Sequence, residues 1–398
     1  MILKNKGRTK RRLLTVNGPL VFWRTLLMPD DEASITNLSK IQKSKSVCPM
    51  DIMLGIDALP FKITVQMMAA IAKEAVRASS YRRATEAVTE HYGVDISERT
   101  VRVVTDFVGA AVFEHCRSEA EKAKSAMPDP IDRRKKHRKP NDILYLEMDG
   151  AMVDTRPESE GDNNWRECKI GIGFLSEDIK SWTNHNGEER RAITRKRLTG
   201  YIGYYKDFQY FLLSIAEQYQ YKYRSKIVII SDGAEWIHSI QQELFPDAIH
   251  ILDLSHVKEH VNNYAKWLFS DDTDRMKWVN RVNALIEDSK TEKVLKLLCK
   301  YKDLPHPKEV TNLYNYIKER SESMDYKAYI EAGYFIGSGA SESANKYTMQ
   351  DRMKLQGMRW NVPNAQTMLT LKTYYEAERW SEIEPLIQQH CSTRDYSI

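Results

Sequence analysis

Two apolar runs in this chain end on the same phrase. Residues 143–146 (Ile-Leu-Tyr-Leu) lead through Glu147 and Met148 into Asp149-Gly150-Ala151, and residues 227–230 (Ile-Val-Ile-Ile) lead through Ser231 into Asp232-Gly233-Ala234. Short apolar runs stopped by Asp-Gly read as buried strands followed by tight turns. In an α/β sheet, ligands gather beyond the carboxyl ends of strands at a topological switch point. Parallel neighbours would therefore carry both aspartates into one crevice, with each glycine permitting the turn away from it. Two carboxylates held together repel, and a divalent cation relieves that penalty. A pair of such ions, about 3.5–4 Å apart, suits phosphodiester chemistry. Asp-Gly is also an ordinary strand-end turn. The matched pair is what points to a site.

A third ligand is available in Gly337-Ser-Gly-Ala-Ser341-Glu342, read as a loop leading into a helix capped by Ser341. Glu342 falls in its first turn, and Lys346 lies one turn on along the same face, placed to steady the carboxylate or meet a phosphate. A glutamate after a serine cap is equally a plain helix start.

Around these phrases the chain changes character several times. Residues 1–60 read as irregular and β-like, and residues 61–126 as helical, with Met67, Met68, Ile71, Ala75 and Val76 at three-to-four spacing. Gly93 suits a helix C-terminus and Ser97 an N-cap for the next helix. The resulting helix, short turn and helix resembles a helix-turn-helix, with Arg99, Thr100 and Arg102 outward toward DNA and Val101, Val104 and Phe107 inward. An ordinary helical hairpin is the plainer alternative. A Pro-rich basic linker spans 127–140 and includes residues 133–139 (RRKKHRK). Strand signals recur at 143–151, 166–174, 198–205, 226–234 and 248–252, a mixed α/β order, and residues 256–329 read as helical throughout.

Charge and composition bound the function. The net charge is +5, with dense basic runs at residues 4–12 and 133–139 that supply sequence-independent phosphate attraction. Hydrophobic residues form 42% of the chain, enough for a sizeable core, but no run approaches the roughly 20 apolar residues of a membrane helix. The five scattered cysteines include no CxxC pair, which argues against a disulfide framework or a zinc ribbon. These features predict a protein without a membrane partner, cytoplasmic and, in a bacterium, nucleoid-associated.

The ordered phrases EMDGAMV, WRECKIGIGF, IVIISDGAEWI, ILDLSHVKEHV and YFIGSGASESANKYTMQDRMKLQGMRW are similar to those of Kra-type insertion-sequence transposases, relatives of the Mutator-like group. The resemblance covers roughly residues 50–380. It implies an RNase H-like core interrupted by an all-helical insertion and preceded by a helical N-terminal DNA-binding domain. On that reading residues 141–254 form the first part of the core, 255–332 the insertion, and 333–398 the C-terminal helices that complete the core. It implies that Asp149, Asp232 and Glu342 hold two Mg²⁺ or Mn²⁺ ions. Asp253 and His256 match an Asp-x-x-His element and become auxiliary candidates, although a lone Asp or His at a strand end is more often structural. Arg352, Arg359 and Trp360 fall in the last matched phrase as candidate DNA contacts, with Trp360 equally suited to the core. Unlike many members, the chain has only Cys48 in its N-terminal region, without the cysteines that suggest zinc there.

The expected activity is metal-dependent cleavage at the ends of a mobile element and strand transfer into target DNA. Double-stranded DNA and a second copy of the chain are the expected partners, since two element ends must be held together. A transposase-derived DNA-binding protein without catalysis, or a metal-dependent nuclease that joins nothing, are the alternatives.

Overall fold

The two Asp-Gly runs lie side by side in the computed structural model, which describes residues 3–29, 46–126, 142–157, 162, 164–187, 189–304, 311–337 and 339–393. In chain order, a hairpin of β1 (Leu3–Thr15) and β2 (Gly18–Pro29) precedes helices α1 (Pro49–Met53), α2 (Val65–Arg77), α3 (Tyr81–Tyr92) and α4 (Glu98–Ser125). Strands β3 (Ile143–Asp154), β4 (Trp165–Leu175), β5 (Ile179–Thr183), β6 (Glu189–Ile193) and β7 (Arg197–Ile202) follow. Next come α5 (Tyr205–Gln218), β8 (Lys226–Ser231), α6 (Glu235–Leu244) and β9 (Ile249–Leu252). Helices α7 (Leu254–Leu268), α8 (Asp272–Glu287), α9 (Thr291–Leu298), α10 (Leu313–Arg320) and α11 (Tyr326–Glu331) form the expected helical stretch. Helix α12 (Gly339–Asn345) passes into a π turn at Lys346–Gln350, and α13 (Asp351–Met353), α14 (Val362–Glu376) and α15 (Ile383–Thr393) complete the order.

The chain divides into two compact units, each assembled from separated segments. Unit 1 is Met1–Ser118, Asp154–Asn164 and Thr348–Ile398, and unit 2 is Glu119–Val153 and Trp165–Tyr347. Residues 333–398 are expected to complete the catalytic core, and those up to Tyr347 do lie in unit 2. Beyond them, α14 and α15 pack instead on α2 in unit 1. The basic run at 133–139 lies outside the described residues.

Unit 2 is a mixed sheet in the order β7-β4-β3-β8-β9. β3, β8 and β9 are parallel, and β4 pairs antiparallel with β7. Alternation sorts the strand side chains to two faces. Leu144, Leu146 and Met148 of β3 join Phe208 and Leu212 of α5 and Ile237 and Ile240 of α6 in one buried cluster. Gly171 and Gly173 let α5 lie close on β4: a Cβ there would come within 2.9 Å of Leu212 and 2.6 Å of Ile215. The opposite face carries Tyr145 and Phe174, stacked at 5.2 Å, with Phe335 edge-on to both. The Phe335 amide donates to the Tyr145 hydroxyl at 3.0 Å, which docks the segment leading to α12 on this face.

Two expectations change. β3 does not end at Asp149 but runs on to Asp154, because β4 continues to pair with it after β8 has stopped. Helix α12 begins at Gly339, so Ser341 lies within the helix instead of capping it. The hairpin β5–β6 fell in a stretch read only as polar.

In unit 1 the β1–β2 hairpin turns at Val16-Asn17, and Gly18, which opens β2 opposite Thr15, sits at φ +98°, a backbone that glycine adopts without strain. Helix α3 ends on Gly93 at φ +63°, and Ser97 accepts from the Thr100 amide at 3.1 Å to cap α4, as the sequence predicts. Val101 and Val104 are fully buried while Arg99 and Arg102 are exposed. Helix α4 crosses α14 closely at Gly109, where a Cβ would stand 2.8 Å from the Thr367 carbonyl oxygen. Among the described residues no helix is long and apolar enough to cross a membrane.

Candidate active site

Strand pairing brings the two aspartates together. β3 and β8 pair in parallel up to Glu147 opposite Ile230; Asp149 follows two residues on along β3, and Asp232 stands one residue past the end of β8 at Ser231. Asp149 is half-buried on β3. Its Oδ1 accepts from the Gly150 amide at 2.7 Å and its Oδ2 from Asn345 Nδ2 at 2.6 Å. Asp232 Oδ1 accepts from the Ala234 amide at 2.9 Å.

The second turn is pinned by the helical stretch. Tyr316 and Arg320 of α10 reach it: the Tyr316 hydroxyl donates to the Asp232 carbonyl at 3.3 Å, and Arg320 Nε and Nη2 donate to the Gly233 carbonyl at 3.2 and 3.1 Å. Gly233 sits at φ +86°, and a Cβ there would lie 2.7 Å from Arg320 Nε and from Leu252. Only glycine fits both the backbone and the crowding. The first turn is buttressed differently, since a Cβ on Gly150 would meet Glu167 Oε1 at 2.8 Å. Glu167 is held by the buried Lys169 at 2.6 Å, which also donates to the Gly203 carbonyl at 3.0 Å.

Burial pushes the Asp149 carboxyl above the usual carboxylate range, and the charge of Asp232 adds to the shift. The bonds from Asn345 and Gly150, and the nearby His256 ring, act the other way. His256 packs edge-on to His260 at 4.8 Å, and His260 against Tyr316 at 4.5 Å. Burial and the His256 charge both lower the pKa of His260. His256 thus shares the electrostatic environment of the aspartates, while Asp253 caps α7, accepting from the Ser255 amide at 2.8 Å.

Glu342 lies on α12, three residues before Asn345, and its side chain is outside the described residues. Lys346 is exposed in the π turn, over the Tyr347 ring at 5.5 Å. Single-turn π segments are frequent at functional sites. Among the described residues no group of three His, Cys, Asp or Glu side chains could hold a metal ion. Asn345, Tyr316, Arg320 and Glu167 were not singled out from sequence. The WRECK phrase and the Asn345-Lys346 step after Glu342 were the available signals.

The candidate DNA contacts fall in unit 1. Arg99 and Arg102 are exposed on the first turns of α4, and Thr100 shares its hydroxyl with Ser97 at 2.8 Å. Arg359 is exposed beside Asp154 at 3.4 Å. Arg352 and Trp360 are buried, at 2% and 6% exposure, with Trp360 Nε1 donating to the Met353 carbonyl at 3.1 Å. This ring is part of the packed interior of unit 1.

Among solved structures, the Drosophila P element transposase strand transfer complex is similar at 9% identity and a TM-score of 0.25, over 88% of this chain and 86% of that one. No match was found among curated proteins. A family model described as "Uncharacterised protein family (UPF0236)" matches residues 3–384, nearly the whole chain, and the chain belongs to that family.

Proposed function

We propose that the chain is a DNA transposase of the three-carboxylate type, with an RNase H-like core in which Asp149, Asp232 and Glu342 hold two Mg²⁺ or Mn²⁺ ions. The observation that carries this reading is that Asp149, on β3, and Asp232, just past the end of the parallel neighbour β8, lie close enough for the charge of one to act on the other. The donor set fits hard divalent cations, which take carboxylate and water oxygens. Among the described residues Asp149 accepts from the Asn345 side-chain amide and the Gly150 backbone amide, both neutral, and its charge is disfavoured by burial and by Asp232. A divalent ion between them reverses that penalty.

When bound, such ions activate the attacking oxygen and stabilise the leaving one. The chain's own residues supply position. Asn345 fixes the rotation of the Asp149 carboxylate, and Tyr316 with Arg320 fixes the backbone that presents Asp232. Phosphoryl transfer asks mainly for such positioning and charge neutralisation. Beside α12 a cavity of about 300 Å³ is lined by Arg191 and Lys196, cations of the right sign for a phosphate backbone. DNA is the proposed partner, and two element ends held at once imply more than one copy of the chain.

The test is cleavage and strand joining on DNA flanking the gene, with Mg²⁺ or Mn²⁺, comparing wild type with Asp232→Asn. Metal-dependent cuts and joined products, lost in the variant, are expected. Cuts without joined products would make it a nuclease, and binding without cuts would leave a DNA-binding protein.

A further inference from the structure

Unit 1 holds its own concentration of positive charge. A cavity of about 270 Å³ is lined by Tyr81, Arg102, Arg156, Arg352, Arg359 and Trp360, among others. Arg352 is its unusual member. Its guanidinium lies against the rings of Tyr81 and Trp360, 4.9 and 5.2 Å from their centres. Nε donates to the Ala75 carbonyl at 3.1 Å and Nη1 contacts Met358 Sδ at 3.7 Å, but Nη2 is buried with no hydrogen-bond partner. Arg352 forms no ion pair among the described residues. A buried cation with an unmet donor is costly unless an anion joins it.

The surroundings favour an anion throughout. Arg156 and Arg359 flank a parallel bridge between Thr155 and Trp360, in which the Arg156 amide donates to the Trp360 carbonyl at 2.8 Å. Arg359 pairs with Asp154 at 3.4 Å. Three helices also begin at the cavity wall: α3 after Ser80, α4 at Glu98, and α14 after Asn361. Asn361 makes no side-chain cap bond. Helix N-termini present unpaired amides and partial positive charge, and so favour anions. One lining carboxylate, Glu98, opposes four arginines.

We propose that this cavity binds the phosphate group of a nucleotide, with Arg352 as the buried anchor and Arg102, Arg156 and Arg359 as outer donors. Planar guanidinium forks match the several oxygens of a phosphate. Tyr81 and Trp360 already hold the Arg352 guanidinium, and the cavity's other polar groups are mainly cations and helix amides. Recognition is therefore of phosphate. The volume admits one nucleotide unit, not a duplex. The phosphate comes from a DNA strand or from a free nucleotide. The DNA source rests on the transposase reading, whereas the phosphate site does not.

The full chain, without divalent metal, is titrated with inorganic phosphate by thermal shift and with a labelled single-stranded oligonucleotide by anisotropy. The double variant Arg102→Gln/Arg156→Gln changes two exposed side chains and keeps the wild-type far-UV spectrum and Tm in phosphate-free buffer. Wild type is expected to gain Tm with phosphate and the variant to lose that gain. Oligonucleotide affinity falls about 10-fold or more, and the salt dependence drops by about one per arginine removed. Loss of the phosphate response with unchanged oligonucleotide binding supports the site and assigns it to a free nucleotide. An undiminished phosphate response in the variant, or none in wild type, overturns the proposal. Neither readout involves cleavage, so failure of the transposase reading shows separately in the Asp232→Asn assay.

Discussion

Asn345 is the residue whose role is most specific and least legible in sequence. Its partner, Asp149, stands 196 residues away, and no local pattern marks an asparagine one helical turn after a glutamate. The aspartates were legible because each carries its own signature, an apolar run stopped by Asp-Gly. Groups that orient a metal ligand commonly change metal affinity by 10–100-fold when lost. Asn345→Ala is therefore expected to raise the Mg²⁺ concentration for half-maximal cleavage by about 10-fold or more, with little change in Tm. An unchanged Mg²⁺ dependence would remove Asn345 from the site. His250 offers a second test, through pH. It is half-buried and hydrogen-bonded to Ser231 Oγ at 2.8 Å and Ser323 Oγ at 3.3 Å. Burial, then the charges of His238 and Arg320, push its pKa down to about 4, against the pull of Asp232. An unfolded histidine titrates near 6.5. Between those values the unfolded chain takes up a proton that the folded one refuses, so this contribution is full above about pH 6.5 and is lost as pH falls toward 4. The group accounts for at most roughly 3 kcal/mol across that window. In His250→Gln the urea midpoint should fall less between pH 7 and pH 5 than in wild type, and parallel falls would contradict the assignment.

At the scale of elements, the strands of unit 2 were readable because their apolar runs are continuous and their ends are marked. The β1–β2 hairpin was not, although Asn17-Gly18 is a strong hairpin signal. Lys4, Lys6, Arg8, Lys10 and Arg12 alternate along β1, but the intervening residues Asn5, Gly7, Thr9 and Arg11 are not apolar, so the period-two pattern reads as a solvated basic run. What they need lies elsewhere in the chain. Arg11 donates to the buried Asp51 at 2.6 Å and to the Ile56 carbonyl at 2.7 Å, and Arg24 of β2 pairs with the same carboxylate. A buried carboxylate clamped by two arginines thus ties the hairpin to α1. Removing one partner of a buried ion cluster typically costs about 3–5 kcal/mol, because the remaining charges are stranded. Asp51→Ala should accordingly open the hairpin to limited proteolysis between residues 3 and 29 while the sheet of unit 2 stays protected. Equal resistance of the variant and wild type would show that the cluster contributes little.

The whole molecule is where sequence reading departed furthest from the fold. A linear series of domains was expected because local periodicity reports elements and not their partners. The C-terminal helices belong to unit 1, and the contacts that place them there all join residues far apart in sequence. Arg352 donates to the Ala75 carbonyl, Asn364 Nδ2 to Asp106 at 2.7 Å, and His390 pairs with Glu114 at 2.7 Å. Thr367 meets Gly109 closely enough to exclude any side chain there. Helix α14 is buried along most of its length, with Ala365, Met368, Leu369 and Leu371 each at 1% exposure or less. Burying four such side chains is worth several kcal/mol, a large share of the margin by which a unit of this size is stable. A chain stopped after Tyr347 should therefore lose cooperative folding of residues 65–112 and keep that of the sheet. Hydrogen exchange read by mass spectrometry separates the two. In the shortened chain, peptides from α2 and α4 should exchange at least 100-fold faster, which corresponds to roughly 3 kcal/mol of lost local stability. Peptides from β3 and β8 should exchange as in the full chain. Retained protection of α2 and α4 would mean that the N-terminal helices form a self-sufficient domain, as the linear reading had it, with the C-terminal helices only resting upon it.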